Sequence, residues 1–390
     1  MASIISRWSR PARLAVLSAL LAIAAVAVTA CGSSGTSGSS GSSGSSSTAG
    51  SSASSKGDLT TADKLAAQWA QRPTQIPVSQ PIGKPIPTGK RIDFINCGVT
   101  SCTILYNNLS QAAKTLGWTV KQINTQGTPE TVQAAWKQAV TDKPDAVIAS
   151  GFPRSVFAQQ LKQLQQMKIP VIESSTDDVE GGGIDLILSK PKDLGPEGQI
   201  LASWITKDSG GKAHTLYVDL PVYNILKPVR QYFEQNYAKL CAGCKLDKID
   251  IPLTAIGKDV PDRVVSYLRA HPDVNYVAYS LGALNVGVPA ALRQAGLANK
   301  VKLIVNVGDA ENYQYIASGQ THAAMAFSNI DQTWVWADAL ARLFTGQPID
   351  VDRKAHLPYM LITKDNLIST GSEFPLVANY QQQWKKLWGK

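Results

Sequence analysis

Lys143-Pro144-Asp145-Ala146-Val147-Ile148-Ala149-Ser150 is a short apolar run set between two longer segments of helical period, 128–141 and 156–167. It reads as a strand between helices, and the same alternation extends to both sides of it. Candidate strands are 91–96, 118–123, 145–150, 169–174, 183–188, 213–219, 245–251, 274–280, 301–307 and 321–327. Helix-like stretches at 103–116, 128–141, 156–167, 194–206, 225–240, 260–270, 283–295 and 332–344 separate most of them. Strand alternating with helix predicts parallel sheets covered on both faces. The pattern runs through about four such units, pauses at Gly181-Gly182-Gly183, and resumes for a comparable second series. An α/β protein of two similar lobes is the simplest arrangement. Its ligand crevice is expected at the carboxyl ends of the strands.

Upstream of this body the composition changes. Arg7, Arg10 and Arg13 precede a mostly apolar run from Leu14 to Ala30, with no acidic residue among them, and the run ends in Val28-Thr29-Ala30-Cys31. That order predicts an export signal over 1–30. Every position from Gly32 to Ser55 is Gly, Ser, Thr or Ala, which offers almost nothing to bury against the entropy of ordering a chain. Residues 31–57 are therefore expected to be a tether, spanning roughly 25–30 Å at Gly/Ser-linker dimensions. A short helix over 59–72, capped by Thr60 or Thr61, and a proline-rich connector over 73–87 complete a 58–89 segment before the globular body. About 300 residues remain, more than one core usually serves.

The formal charge of +9 falls to about +6 once the three leader arginines are removed. The basic residues are scattered, without the dense block that a nucleic-acid surface needs, so no nucleic-acid partner is expected. Of five cysteines, Cys31 stands directly after small residues at the end of the apolar run, as in a lipobox, where it would be acylated. The remaining four form two close pairs, Cys97/Cys102 and Cys241/Cys244. In an exported chain these predict two disulfides. Cys241-Ala242-Gly243-Cys244 falls at a helix-to-strand turn rather than opening a helix, which argues against redox chemistry. His214, His271, His322 and His356 show no metal spacing and no nucleophile motif. Neither a metal, nor a cofactor, nor an enzymatic activity is expected.

At the level of motifs the chain resembles the type I periplasmic binding proteins, in their ribose-like, sugar-binding branch. The resemblance covers roughly residues 90–370. It rests on Arg91-Ile92-Asp93-Phe94-Ile95-Asn96, the Lys-Pro-Asp-Ala-Val-Ile segment at 143–148, Lys168-Ile169-Pro170-Val171-Ile172, Val305-Asn306-Val307-Gly308-Asp309 and Leu343-Phe344-Thr345-Gly346. It implies a three-segment hinge near 188–193, 326–330 and 356–362, between a first lobe of 90–190 plus 329–358 and a second of 191–328 plus 359–390. It also implies a receptor that closes on a small molecule and delivers it to a membrane permease of the ABC class. The expected protein is a monomer anchored by lipid on the outer face of the cell membrane, and a sensor in place of the permease is the alternative partner.

Segments following the strands supply the candidate ligand contacts: Asn96, Phe152, Arg154, Ser175, Asp177, Asp219, Tyr223, Tyr279, Ser280, Asp309 and Phe327. Arg230 resembles the arginine that clamps sugar hydroxyls in the family. A Cys97–Cys102 link would fix the ligand-facing backbone before binding. Two departures from the family pattern stand out. Tyr279-Ser280-Leu281-Gly282-Ala283 carries no carboxylate where the family has Asn-Asp, and Phe327 replaces a glutamine. Sugar or polyol remains the expected ligand class, with an aromatic or amphipathic metabolite as the alternative that Phe152, Tyr223, Tyr279 and Phe327 suggest.

Overall fold

The computed structural model describes residues 58–370 and 374–390. The expected export signal, Cys31 and the tether all lie outside the described residues. Chain order begins with helix α1 (Leu59–Trp69), followed by the proline-rich connector, in which no regular element forms. The cap of α1 is Asp58 rather than Thr60 or Thr61; its side chain accepts from the Thr61 amide at 2.9 Å. An Asp outside the helix can reach that amide, whereas a threonine already inside the first turn cannot cap it.

Five parallel strands then form the first sheet: β1 (Arg91–Ile95), β2 (Thr119–Ile123), β3 (Ala146–Ser150), β4 (Val171–Ser174) and β5 (Leu186–Leu188), in the order β2-β1-β3-β4-β5. The helices between them are α2 (Thr100–Leu116), α3 (Pro129–Asp142) and α4 (Ala158–Gln166). Strands β3, β4 and β5 are buried along their whole length, as a sheet covered on both faces requires. The turn at 181–183 holds three glycines at positive φ, so the expected strand over 183–188 shortens to β5.

The second sheet contains β6 (His214–Asp219), β7 (Lys245–Asp250), β8 (Tyr276–Tyr279), β9 (Lys302–Val305), β10 (Ala323–Phe327) and β11 (Tyr359–Thr363). Its order is β11-β10-β9-β8-β6-β7, parallel except for β11. Its helices are α5 (Gly195–Ser209), α6 (Leu226–Leu240), α7 (Val260–Ala270), α8 (Val288–Gln294) and α9 (Ala310–Ala317). Helix α10 (Asn329–Phe344) returns to the first lobe and packs on α2, with Trp336 6.2 Å from Phe94 of β1. A short α11 (Asp350–Arg353) follows it, and α12 (Tyr380–Trp388) ends the chain. The chain passes between the sheets at three places: between β5 and α5, between β10 and α10, and between α11 and β11. The last crossing ends in a strand because Tyr359-Met360-Leu361-Ile362-Thr363 pairs antiparallel with β10.

The two ends of the chain depart from the expected division. Helix α1 lies on the second lobe, against α5 and β11, with Ala62 and Ala66 buried and Trp69 Nε1 donating to Gln199 Oε1 at 3.0 Å. Helix α12, expected in the second lobe, lies on the first: Trp388 stacks on Trp334 at 5.1 Å, and its indole donates to Asp338 at 2.7 Å. Three tryptophans, Trp334, Trp384 and Trp388, hold it there. Each end therefore adds a strap between the lobes, and Arg72 ties the straps together through the carbonyls of Pro375 and Leu376. Beneath α12, Arg342 is 1% exposed and pairs with Asp338 at 2.8 Å and Asp352 at 3.4 Å, while also donating to the carbonyl of Gln80 in the connector. Burial first, then the neighbouring Asp338 carboxylate, pushes Asp352 up to about 9.

Candidate functional site

The carboxyl ends of both sheets face each other across a cavity of about 100 Å³. Both lobes wall it, and they already touch. The Tyr223 hydroxyl, in the loop after β6, donates across the cleft to the Cys97 carbonyl after β1 at 3.4 Å, and its ring stands edge-on to Phe152 at 5.9 Å. Cys97 and Cys102 are bonded, with Cα atoms 5.7 Å apart, and their disulfide lines the cavity. Gly98 (φ +91°) lets this loop lie against the turn after β2, where a side chain would meet the Gly127 nitrogen at 2.6 Å. Cys241 and Cys244 are also bonded, in the turn between α6 and β7, away from the cavity.

The first-lobe wall is uncharged and combines hydroxyls and amides with Val99, Leu105 and the disulfide. Ser189 donates to Gln332 at 2.7 Å, Gln332 bonds Ser174 at 3.3 Å, and Ser174 bonds Ser150 at 3.1 Å. Gln332 is 1% exposed and sits one turn into α10; Asn329, three residues earlier, shares its face. Apart from the Tyr223 hydroxyl, the second-lobe wall is mostly apolar, built from Ile225, Leu226, Val229, Leu281, Val307 and Phe327. It also carries one carboxyl. Glu197, in the first turn of α5, lines the cavity while only 5% exposed and accepts from Asn306 Nδ2 at 2.8 Å. Burial, partly offset by that hydrogen bond, pushes its carboxyl up to about 7.

Of the residues expected from sequence, Ser175, Tyr223 and Phe327 line this cavity, together with the Cys97–Cys102 disulfide. Asp309 lines an adjoining recess between Ser101 and Leu281, where its side chain also caps α9. Asn96 and Phe152 lie beneath the floor, around a small void shared with Glu173, whose burial raises its carboxyl well above the ordinary range. Asn96 is spent locally, accepting from the Gly98 amide at 2.8 Å.

The other expected contacts lie outside the cavity lining, each for a physical reason. Arg230 is held by Asp219 at 2.6 Å, because a carboxylate 1% exposed takes the nearest cation. Arg154 turns to Asp178 and the Val179 carbonyl, and Asp177 is exposed. Tyr279 is buried in the core at the end of β8, and the Ser280 hydroxyl accepts from the Leu220 amide. The segment therefore presents Leu281 to the cleft. Sequence reasoning missed Glu197, Asn329 and Gln332. The i, i+3 pair of amides just after the second crossing was the available signal for the last two.

A model of the periplasmic binding protein domain matches residues 99–348. No curated protein matches the chain. Among solved structures, a glucose-galactose binding protein from Geobacillus stearothermophilus aligns with 73% of this chain and all of its own, at 17% identity and a TM-score of 0.62. An ABC transporter solute binding protein from Agrobacterium vitis, bound with α-D-tagatopyranose, covers 72% of this chain and 96% of its own at 20% identity and TM-score 0.62. A 5-methylthioribose transporter solute binding protein from Thermotoga lettingae covers 78% of this chain and 95% of its own at 18% identity and TM-score 0.62.

Proposed function

This chain belongs to the family of periplasmic binding protein domains, and on that premise we propose that it is the extracytoplasmic receptor of an ABC importer, capturing a small molecule by closing its lobes without changing it chemically. The observation that carries the reading is the cavity at the facing strand ends, walled by both lobes and bridged by the Tyr223–Cys97 contact. Contacts made only when the lobes meet give the ligand its preference for the closed form, and that preference sets the population shift. Sugar or polyol is the first ligand class, in keeping with the ligands named for the similar structures. An amphipathic metabolite is the second, favoured by the apolar second-lobe wall.

The lobes are read as 90–190 with 329–358, and 191–328 with the strand that follows the third crossing, while the closing helix belongs with the first. Lipid anchoring at Cys31 and monomeric delivery to a permease, on the outer face of the cell membrane, complete the reading, supported by the lipobox-like residues and the tether that follows. Cys31→Ser should release the protein from membranes or leave it unprocessed; normal processing with full retention would contradict the anchor.

Spin labels at exposed Lys137 on α3 and Lys239 on α6 test the closure. Ligand should narrow their distance distribution to its shorter component. An identical distribution with and without saturating ligand would remove the lobe-closure mechanism.

A further inference from the structure

Glu197 is the only charged side chain among the described residues lining the cavity, and no lysine, arginine or histidine accompanies it. Its side-chain hydrogen-bonding partner among the described residues is neutral, the Asn306 amide, which is itself buried and also donates to the Ser280 carbonyl at 3.3 Å. A carboxylate offers about four acceptor sites, so one amide leaves it largely unspent. Arg230, outside the cavity lining, is committed to Asp219. An anionic occupant would meet this carboxyl with no counter-charge. A buried carboxylate needs a paired charge or a proton, and the protein supplies no cation here.

We propose that the natural occupant of the cleft carries a cationic nitrogen, an ammonium or amidinium, that pairs with Glu197, with its hydrocarbon part on the second-lobe wall and its hydroxyls on the serine and amide wall. The proposal rests on the reading of this cavity as the ligand site. The place of Glu197 in the first turn of α5 favours its ionised form through the helix dipole, and a bound cation favours it further. The ionisable groups that feel it, Tyr217 and Tyr359, are both raised by burial and stay neutral. With the empty carboxyl pushed up to about 7, cation binding should strengthen as pH rises through neutrality and the proton leaves.

The test uses the full chain and two matched pairs, leucinol with 4-methyl-1-pentanol and 1-amino-1-deoxysorbitol with sorbitol, whose amines stay protonated at pH 8 and which differ chiefly in the presence of that amine. Calorimetry and thermal shift at pH 8 should show at least one amine binding roughly 10-fold or more tighter than its neutral partner. Glu197→Gln, which keeps the size and the Asn306 contact, should erase that gap, and lowering the pH from 8 to 6 should weaken the amine about 10-fold. Three outcomes overturn the proposal: both neutral partners binding as well as their amines, a gap that persists in Glu197→Gln, or no amine binding the wild type at about 10 mM, a concentration that even a weak fragment-sized ligand should register. Should Glu197→Gln not fold, the wild-type pairs decide alone. Sorbitol binding tightly, unaffected by Glu197→Gln, would defeat the cation while leaving the receptor reading intact; that reading fails only when the lobes do not respond to any ligand.

Discussion

The two walls of the cleft are made by the same kind of βα unit and solve different problems. On the first lobe, hydroxyls and amides at the strand ends bond one another through Ser189, Gln332, Ser174 and Ser150, so the wall is satisfied before a ligand arrives. Its preorganisation is reinforced by the Cys97–Cys102 link. On the second lobe the corresponding positions are mostly aliphatic or aromatic; the Tyr223 hydroxyl is taken up by the Cys97 carbonyl, and Glu197 keeps spare acceptor capacity. Orientation by hydrogen bonds thus belongs to one lobe, and apolar area with a single electrostatic contact to the other. Similar supersecondary units fix where a site sits, while the residues after each strand fix what it accepts.

The largest expected effect concerns the charge on the apolar wall. The folded-state pKa of Glu197 is raised above its ordinary value, to about 7. Its contribution to stability is therefore fully present below about pH 4.5 and lost as pH rises through 7. Comparing wild type with Glu197→Gln by chemical denaturation from pH 4.5 to 8 should reveal a pH-dependent difference approaching 3 kcal/mol; parallel curves would show that the carboxyl is not desolvated by this wall.

The disulfides separate the lobes next. Removing either short link should cost about 2 kcal/mol of stability. Only Cys97→Ser/Cys102→Ser should also weaken ligand binding, since only that pair lines the cavity. Equal effects of both removals on calorimetric affinity would erase the distinction between a preorganised wall and a distant staple.

Smaller effects compare the walls contact by contact. Tyr223→Ala and Phe327→Ala should each weaken the ligand by about 1–2 kcal/mol through lost apolar area. Gln332→Ala should cost about 1 kcal/mol, because part of its hydrogen bonding is internal to the wall. If Gln332→Ala proves more damaging than Phe327→Ala, polar contacts dominate and a simple sugar becomes the better ligand.

The alternating runs made the two-sheet architecture legible because buried parallel strands leave apolar blocks that local chemistry cannot disguise. Side-chain direction was harder to read. Tyr279 and Ser280 stand at a strand end, where one residue decides between core and cleft, and Leu281 is the one that faces out. Arg230 was misplaced because its claim by Asp219, eleven residues earlier and buried, depends on helix orientation rather than on spacing. Glu197 lay hidden in a helix start, where an acidic residue is ordinary. The terminal straps were illegible for another reason: α1 and α12 are amphipathic helices whose partners, α5 and α10, lie far along the chain.

The most direct measurement is calorimetric titration of the compound that most stabilises the protein in a screen of sugars, polyols, nucleosides, aromatic acids and amines. It should be run on wild type and on Ser175→Trp, which places an indole in the cavity. The account predicts saturable one-to-one binding with the ligand recovered unchanged, abolished in Ser175→Trp although that variant folds. Equal affinity in the filled variant, or a chemically altered ligand, would contradict a receptor whose site lies between these two walls.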